Sequence, residues 1–297
     1  MESVHIPVLL HEIIEGFEPV TKQDPIYLDG TLGGAGHALS IAKAFEGKIT
    51  VVGLDRDMQA ISRAQETLKD STKNLILVNE DFRNLDKVLE AHILTGVDMI
   101  LLDLGISSDE LDNSGRGFTF QKDEPLLMTM GDPEKYPFTA KDIVNKWSEE
   151  VLADIIFGYG EERYARRIAK GIVLYRDKKL IETSGELAEI IKSSVPVFYK
   201  RSKIHPATRS FQALRIAVND ELNALREGLV KGYEHLNPKG RMAVISFHSL
   251  EDRIVKEFFK KQINAHIITK KPITACDQEL AENPRSRSAK LRIIEKN

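Results

Sequence analysis

Cysteine is nearly absent from this chain of 297 residues. The single one, Cys276, excludes an internal disulfide and a cysteine-ligated metal cluster, and it fits a reducing cytoplasm. No apolar run approaches the roughly 18 residues of a membrane span, so no membrane partner is expected. The N-terminus has no basic stretch ahead of its short apolar segment, which Pro7 and His11 interrupt, so no signal peptide is expected. Internal repeats and low-complexity segments are lacking too. There is no excess of positive charge: Lys+Arg is 42 against Asp+Glu 45, a net of -3. Whole-chain charge therefore gives no support to a nucleic-acid partner, and only local patches could. What is present, 42% hydrophobic and 29% charged residues, is ordinary globular composition and excludes disorder or a fibre. A chain of this size buries enough surface to need no metal as a staple.

Short apolar runs alternate with amphipathic stretches in the first third. The pattern predicts strands over 26–29, 49–55, 75–78 and 97–104, with helices over 38–45, 57–68 and 84–91 and Asp57 as an N-cap. The strand at 49–55 is apolar on both faces, as a buried parallel strand is. The alternation predicts an α/β fold with helices on both faces of a mostly parallel sheet. Residues 107–137 show little periodicity. Helical periodicity returns over 140–157, 161–175 and 183–193, and one long helix is expected over 208–235. Sheet-like sequence resumes at 242–247, followed by a helix over 250–262 and closing strands over 267–269 and 291–294. The sheet domain is therefore expected to be discontinuous, 1–108 and 206–297, with 109–205 inserted as a helical domain.

Asp29-Gly-Thr-Leu-Gly33-Gly-Ala35-Gly36-His37 joins a strand to a helix. Glycines there allow a sharp turn and close approach of backbone to a ligand, but a glycine cluster alone fits an empty turn equally well. Asp55 ends the next strand, about 20 residues on, where a carboxylate can accept both ribose hydroxyls. Asp29, Asp81 and Asp103 also end strands, and carboxyl ends of adjacent parallel strands converge on one crevice. At ~4–6 Å such acids would repel a pyrophosphate by several kcal/mol. A cationic adenosine ligand suits them better, which favours S-adenosylmethionine over NAD. Phe82 fits an apolar wall for adenine, or equally a core aromatic.

Methyl transfer from a sulfonium needs alignment and exclusion of water. Cys276 sits in an unremarkable segment, so carbon-5 methylation of a pyrimidine, which uses a cysteine nucleophile, is disfavoured, and the acceptor is expected to be nitrogen or oxygen. Asp103 is a candidate for holding cofactor, acceptor amine or both, with Ser107 close behind it in Asp103-Leu-Gly-Ile-Ser107-Ser108. In Ser246-Phe-His248-Ser-Leu-Glu251-Asp-Arg253, helix capping accounts for Ser249, Glu251 and Asp252, and leaves His248 as the residue it does not explain, a catalytic candidate or else a satisfied structural histidine.

From 190 to 219 there are thirty residues without Asp or Glu, carrying Lys192, Lys200, Arg201, Lys203, Arg209 and Arg215. Phe198, Tyr199, His205 and Phe211 are interleaved, which suits phosphate neutralisation with base stacking. A second patch joins Arg285, Arg287, Lys290 and Arg292.

Together these motifs resemble the bacterial ribosomal RNA small subunit methyltransferase H family, the 16S rRNA cytosine-N4 methyltransferases once called MraW. The resemblance runs nearly end to end. It includes His5-Ile-Pro-Val-Leu-Leu-His-Glu12, Gly53-Leu-Asp-Arg-Asp57, Leu102-Asp-Leu-Gly-Ile-Ser-Ser108, Arg116-Gly-Phe-Thr-Phe120, Tyr159-Gly-Glu-Glu-Arg163, Phe211-Gln-Ala-Leu-Arg-Ile216 and Asn283-Pro-Arg-Ser-Arg-Ser-Ala-Lys-Leu-Arg292. It implies a class I methyltransferase fold with an inserted helical domain. It implies S-adenosylmethionine as methyl donor and N4 of a decoding-centre cytidine as acceptor, in 16S rRNA within the small ribosomal subunit. A homodimer is compatible with it. It places cofactor contacts at Ala35, Gly36, His37, Asp55, Phe82 and Asp103, and at Glu110, where the family carries Gln. Two further departures are Pro125-Leu-Leu127-Met-Thr129-Met130, which loses the family's acid and base together, and Ala35-Gly-His-Ala38, usually Gly-Gly-His-Ser. The paired loss suggests an ion pair removed as a unit or an altered RNA contact. Two rival readings keep the same crevice or fold: a dinucleotide-dependent oxidoreductase, and a non-catalytic RNA-binding or assembly factor.

Overall fold

The strands form by their own apolar pattern: β1 (Ile26–Asp29), β2 (Thr50–Asp55), β3 (Asn74–Asn79), β4 (Val97–Asp103), β5 (Leu236–Ser246), β6 (Ala265–Ile267) and β7 (Lys290–Lys296). The computed structural model describes residues 7–20, 22–201 and 204–297, without the side chains of Ser108, Asp109 and Asp112. His5 and Ile6 of the N-terminal motif and Lys203 of the basic stretch thus lie outside the described residues. The strands make one sheet in the order β3-β2-β1-β4-β5-β7-β6. β1 to β5 are parallel, and β7 runs antiparallel to both β5 and β6.

Period-two alternation explains why these strands read as apolar throughout. Tyr27, Val51, Met99, Leu101, Ala243 and Ile245 enter one core with the helices Leu10–Phe17, Gly36–Ala44 and Met58–Leu68. Their neighbours Leu28, Val52, Ile100, Leu102, Met242 and Val244 enter a second core with the helices Leu85–Ala91, Glu221–His235 and Ser249–Lys261. Asp57 caps its helix as expected, accepting from Gln59 N at 3.0 Å.

The chain divides into two units, Met1–Gly105 with Leu222–Asn297, and Ile106–Glu221. The second unit is helical, built on Ala140–Lys146, Glu149–Gly160, Ala165–Arg176, Ser184–Ser194 and Thr208–Asn219 around a core of its own. Three sequence expectations change here. The helix expected over 140–157 is two helices, because Ser148 Oγ accepts from Val151 N and starts the second. A short helix, Ser108–Asn113, forms where no periodicity was visible. The long helix expected over 208–235 breaks at Asp220, whose φ is 51°. Buried Asn219 fixes that end, donating to Met128 O at 2.7 Å and accepting from Met130 N at 2.9 Å. Thr208–Asn219 therefore belongs to the helical unit, whose boundaries are 106 and 221 rather than 109 and 205.

At the amino end of the sheet one carboxylate ties three segments together. Asp98, 3% exposed, accepts from Lys22 Nζ, Ile26 N and Asn237 Nδ2. Asp98→Ala strands two of those donors beside a buried cavity, and we expect a loss of about 3 kcal/mol in chemical denaturation, with cofactor affinity retained in the folded fraction. A loss within 0.5 kcal/mol, the size of an ordinary surface change, would count against this role.

Candidate functional site

Strand order changes direction around β1: β2 and β3 lie on one side, β4 and β5 on the other. In such sheets a crevice opens at the carboxyl ends of the strands that flank the switch. The turn after β1 is stitched to both neighbours. Gly30 N donates to Leu101 O on β4 and Leu32 N donates to Leu54 O on β2, each at 3.0 Å. A Cβ on Gly30 would sit 2.5 Å from Leu102 Cδ2 and 3.0 Å from Phe82 Cβ, so glycine lets the chain pass there without displacing either side chain.

The turn continues in the left-handed region at Gly33, φ 51°, and Ala35, φ 59°. Ala35 occupies a conformation that glycine adopts freely, while its methyl is fully buried in the first core. Nothing lies within 4 Å of a Cβ built on Gly34, so the outer side of the turn is open to a ligand. Asp55 holds the turn from β2: Oδ2 accepts from Gly33 N and Oδ1 from Asp57 N, both at 2.8 Å. Burial pushes the Asp55 carboxyl up, and the two N–H donors pull the other way.

Asp29 and Asp103 are joined through Thr31, a residue sequence reasoning passed over although it sits inside the glycine motif. Thr31 N donates to Asp29 Oδ1 at 3.1 Å, and Thr31 Oγ1 accepts from Asp103 N at 2.6 Å. Tyr27 OH donates to Asp29 Oδ2 at 2.8 Å. Burial raises Asp29 to about 6, against the lowering effect of the Tyr27 and Thr31 bonds. Burial raises Asp103 to about 8, reinforced by the charges of Asp29 and Glu251. The Asp103 side chain keeps 19% of its surface, but its Oδ1 is sealed and has no hydrogen-bond partner. Its Oδ2 lies 3.6 Å from His37 Nδ1, and His37 Nε2 is 2.9 Å from Val8 O.

An unpartnered buried carboxylate oxygen is a cost that a cationic ligand removes. The donor set thus fits a positively charged adenosine cofactor: acids from β1, β2 and β4, open backbone at the turn, and no lysine or arginine hydrogen-bonded to those three side chains, although Arg63 lies close enough to Asp55 to favour its ionised form. Asp81 drops out of the acidic ring, because Arg56 and Arg83 both pair with it and it accepts from Arg83 N. Phe82 is half-buried at the same end of the sheet. Its ring would be 2.5 Å from a Cβ on Gly228 and its own Cβ 3.0 Å from one on Gly30, so its position is fixed by two glycines.

Other candidates are placed differently. His248 is itself the N-cap of Ser249–Lys261: its Nδ1 accepts from Glu251 N at 3.3 Å, and Glu251 Oε2 accepts from His248 N. Capping, which the sequence reading did not foresee for this residue, thus occupies Nδ1, while Nε2 is buried without a hydrogen-bond partner, 3.2 Å from Glu251 Oε1. Ser107 and Glu110 lie in the helical unit and form a capping box, Ser107 Oγ accepting from Glu110 N and Glu110 Oε2 from Ser107 N. Either Glu or Gln completes such a box, so Glu110 preserves the local structure that Gln would give. Thr129 is fully buried and donates to Gly131 O, while Leu127 bonds through its backbone to Arg116 and Ala140.

The basic stretch is thinned by the fold. Arg215 is 14% exposed and spends Nε and Nη2 on Glu221, both at 2.8 Å, which removes it from the phosphate-facing set. Lys192 pairs with Glu189, and Phe211 is a core residue rather than a stacking one. Arg209 is half-buried and donates to Glu161 O. Lys200 and Arg201 stay accessible. In the second patch Arg285 and Arg287 are exposed, whereas Lys290 and Arg292 both pair with Asp252.

Two outcomes test the site. Asp55→Ala removes the carboxylate that anchors the turn, and calorimetry should show S-adenosylhomocysteine affinity falling by about ten-fold or more. Asp103 is raised in the folded state, so its contribution to stability is present at low pH and is lost as pH rises through about 8. Asp103→Asn should flatten that decline in the ligand-free protein while weakening the cofactor; parallel stability profiles would contradict the assignment.

A family model described as the MraW methylase family matches residues 2–297. Ribosomal RNA small subunit methyltransferase H of Acetivibrio thermocellus is 47% identical over 316 residues, covering 100% of both chains. The proteins of that name from Heliobacterium modesticaldum and Brevibacillus brevis are 46% and 43% identical, each covering 98% of both chains. With the model spanning the sheet unit and the helical unit alike, the chain belongs to the MraW methylase family: it is an S-adenosylmethionine-dependent methyltransferase with the class I α/β fold.

Proposed function

We propose that this enzyme methylates the exocyclic N4 of a decoding-centre cytidine in 16S rRNA, within the small ribosomal subunit and in the cytoplasm. The observation that carries the reading is the sealed, unpartnered Asp103 oxygen at the open glycine turn, in a chain that matches small-subunit rRNA methyltransferases along its whole length. Among the described residues no helix is long and apolar enough to cross a membrane. The absence of a cysteine at the site supports a nitrogen acceptor over carbon-5.

S-adenosylmethionine, when bound, supplies a methyl group made electrophilic by its sulfonium. The protein's share is placement and electrostatics. Asp55 accepts from the ribose, the backbone after Gly33 admits the nucleoside closely, and Phe82 gives it an apolar wall. Asp103 and Asp29 set a negative field at the carboxyl ends of β4 and β1, which holds a cation and stabilises positive charge gathering on an attacked amine. The amine lone pair forms the new N–C bond as the C–S bond breaks, and the nitrogen then loses a proton. Alignment and exclusion of water suffice for such a displacement, which agrees with a site that has no nucleophile of its own.

Nucleoside mass spectrometry of 16S rRNA checks the reading. A strain lacking the gene should lose one N4-methylcytidine, and the purified enzyme should restore it on isolated small subunits. Unchanged N4-methylcytidine would refute this acceptor and direct the methyl group to another position.

A further inference from the structure

The helical unit carries an arginine that its own fold holds ready but leaves unused. In Tyr159-Gly-Glu-Glu-Arg163 each residue has a place. A Cβ on Gly160 would lie 2.5 Å from Arg209 O, so the helix Glu149–Gly160 meets Thr208–Asn219 at a glycine. Glu161 turns the chain at φ 49°, and its carbonyl accepts from Arg209 Nη1 at 3.0 Å. Glu162 is fully buried and anchors two rings: Oε1 accepts from Tyr164 N at 2.8 Å and Oε2 from Tyr199 OH at 2.6 Å. Tyr164 and Tyr199 meet edge to face with centroids 4.9 Å apart.

Arg163 is exposed and rests on this scaffold. Its guanidinium carbon lies 4.9 Å from the Tyr164 centroid, 5.0 Å from Tyr199 and 6.0 Å from Phe198. Cation–π contact with three rings restrains a side chain that is otherwise free to move. Among the described residues no carboxylate pairs with Arg163, nor with Lys200 or Arg201 beside the rings. Phe198 is 66% exposed and Val197 65%, an apolar surface within a segment that has no acid from 190 to 219. Solvated arginines and buried aromatics are both ordinary. An exposed phenylalanine beside a guanidinium that rests on aromatic rings and pairs with no carboxylate among the described residues matches the two parts of a nucleotide, base and phosphate.

We propose that Arg163, Phe198 and Tyr199 form a platform for single-stranded RNA, in which an unpaired base stacks on Phe198 while Arg163, with Lys200 and Arg201 beside it, takes the adjoining phosphate. The inference rests on the rRNA-substrate reading above and gives it a place on the helical unit. It adds Arg163, which lies outside the acid-free stretch, and separates stacking Phe198 from buried Phe211. Glu162 positions the platform and does not touch RNA.

The test uses the full-length protein and a short single-stranded oligouridylate carrying one fluorescent adenine analogue. Wild type should bind with quenching of the analogue. Phe198→Ala should lose the quenching and weaken binding about ten-fold. Arg163→Ala should lower the salt slope of binding by about one phosphate contact. Arg163→Lys should keep the slope yet bind more weakly, since lysine keeps the charge and loses the planar fork. S-adenosylhomocysteine affinity and melting temperature should match wild type in all three, which separates RNA contact from misfolding. If wild type binds the RNA and the variants bind it with the same affinity, slope and quenching, the platform is refuted and the substrate reading stands; such a surface would then dock a protein. If wild type binds neither this RNA nor the small subunit, both fail.

Discussion

Crowding of carboxylates at one edge of a parallel sheet is the constraint from which the rest of this site follows. Asp29, Asp55 and Asp103 end β1, β2 and β4, three adjacent strands, and none of the three has a lysine or arginine as hydrogen-bond partner. Thr31 links Asp29 to the backbone of Asp103, so the acids cannot spread apart without breaking the turn that also bonds to Leu101 and Leu54. A protein at neutral pH lowers that cost by keeping a proton on Asp103, raised to about 8, beside Asp29, which at about 6 is mostly ionised. A cation would do the same work while ionising Asp103.

Much of this was legible in the residues. Strand ends, the glycine turn and Asp55 followed from apolar runs, turn chemistry and spacing, because those depend on local sequence. What escaped depends on which segments meet. Asp81 looked like a fourth acid of the ring, but Arg56 comes from the end of β2, and Arg83 from the turn that Asp81 caps, to neutralise it. Thr31 was hidden among glycines, since its value lies in reaching a strand seventy residues on. His248 was read as unexplained because capping statistics favour Ser, Thr, Asp and Asn, yet an imidazole nitrogen accepts the same backbone N–H. The long helix expected over 208–235 has unbroken periodicity; only the bonds from Asn219 to Met128 and Met130 show why it stops.

The same contrast governs the helical unit. Counting cations over 190–219 gave a uniform stripe, whereas folding sorts it: Arg215 and Lys192 are neutralised by Glu221 and Glu189, and Lys200 and Arg201 remain. Family departures also read differently once placed. Glu110 keeps a capping box, and Thr129 satisfies its hydroxyl on Gly131, so neither substitution leaves a buried polar group stranded. The segment around Leu127 and Thr129 is held by backbone bonds and by Asn219, which explains how an acid and a base can be lost there without loss of local order.

The central claim is that a cation enters a cluster that holds protons in its absence. Calorimetric titration of S-adenosylmethionine at pH 7, in two buffers of different ionisation enthalpy, measures the protons exchanged on binding. With Asp103 at about 8 and Asp29 at about 6, the account predicts net proton release approaching one per site, falling toward zero in Asp103→Asn. Binding with no proton exchange in the wild-type enzyme, or with proton uptake, would contradict it.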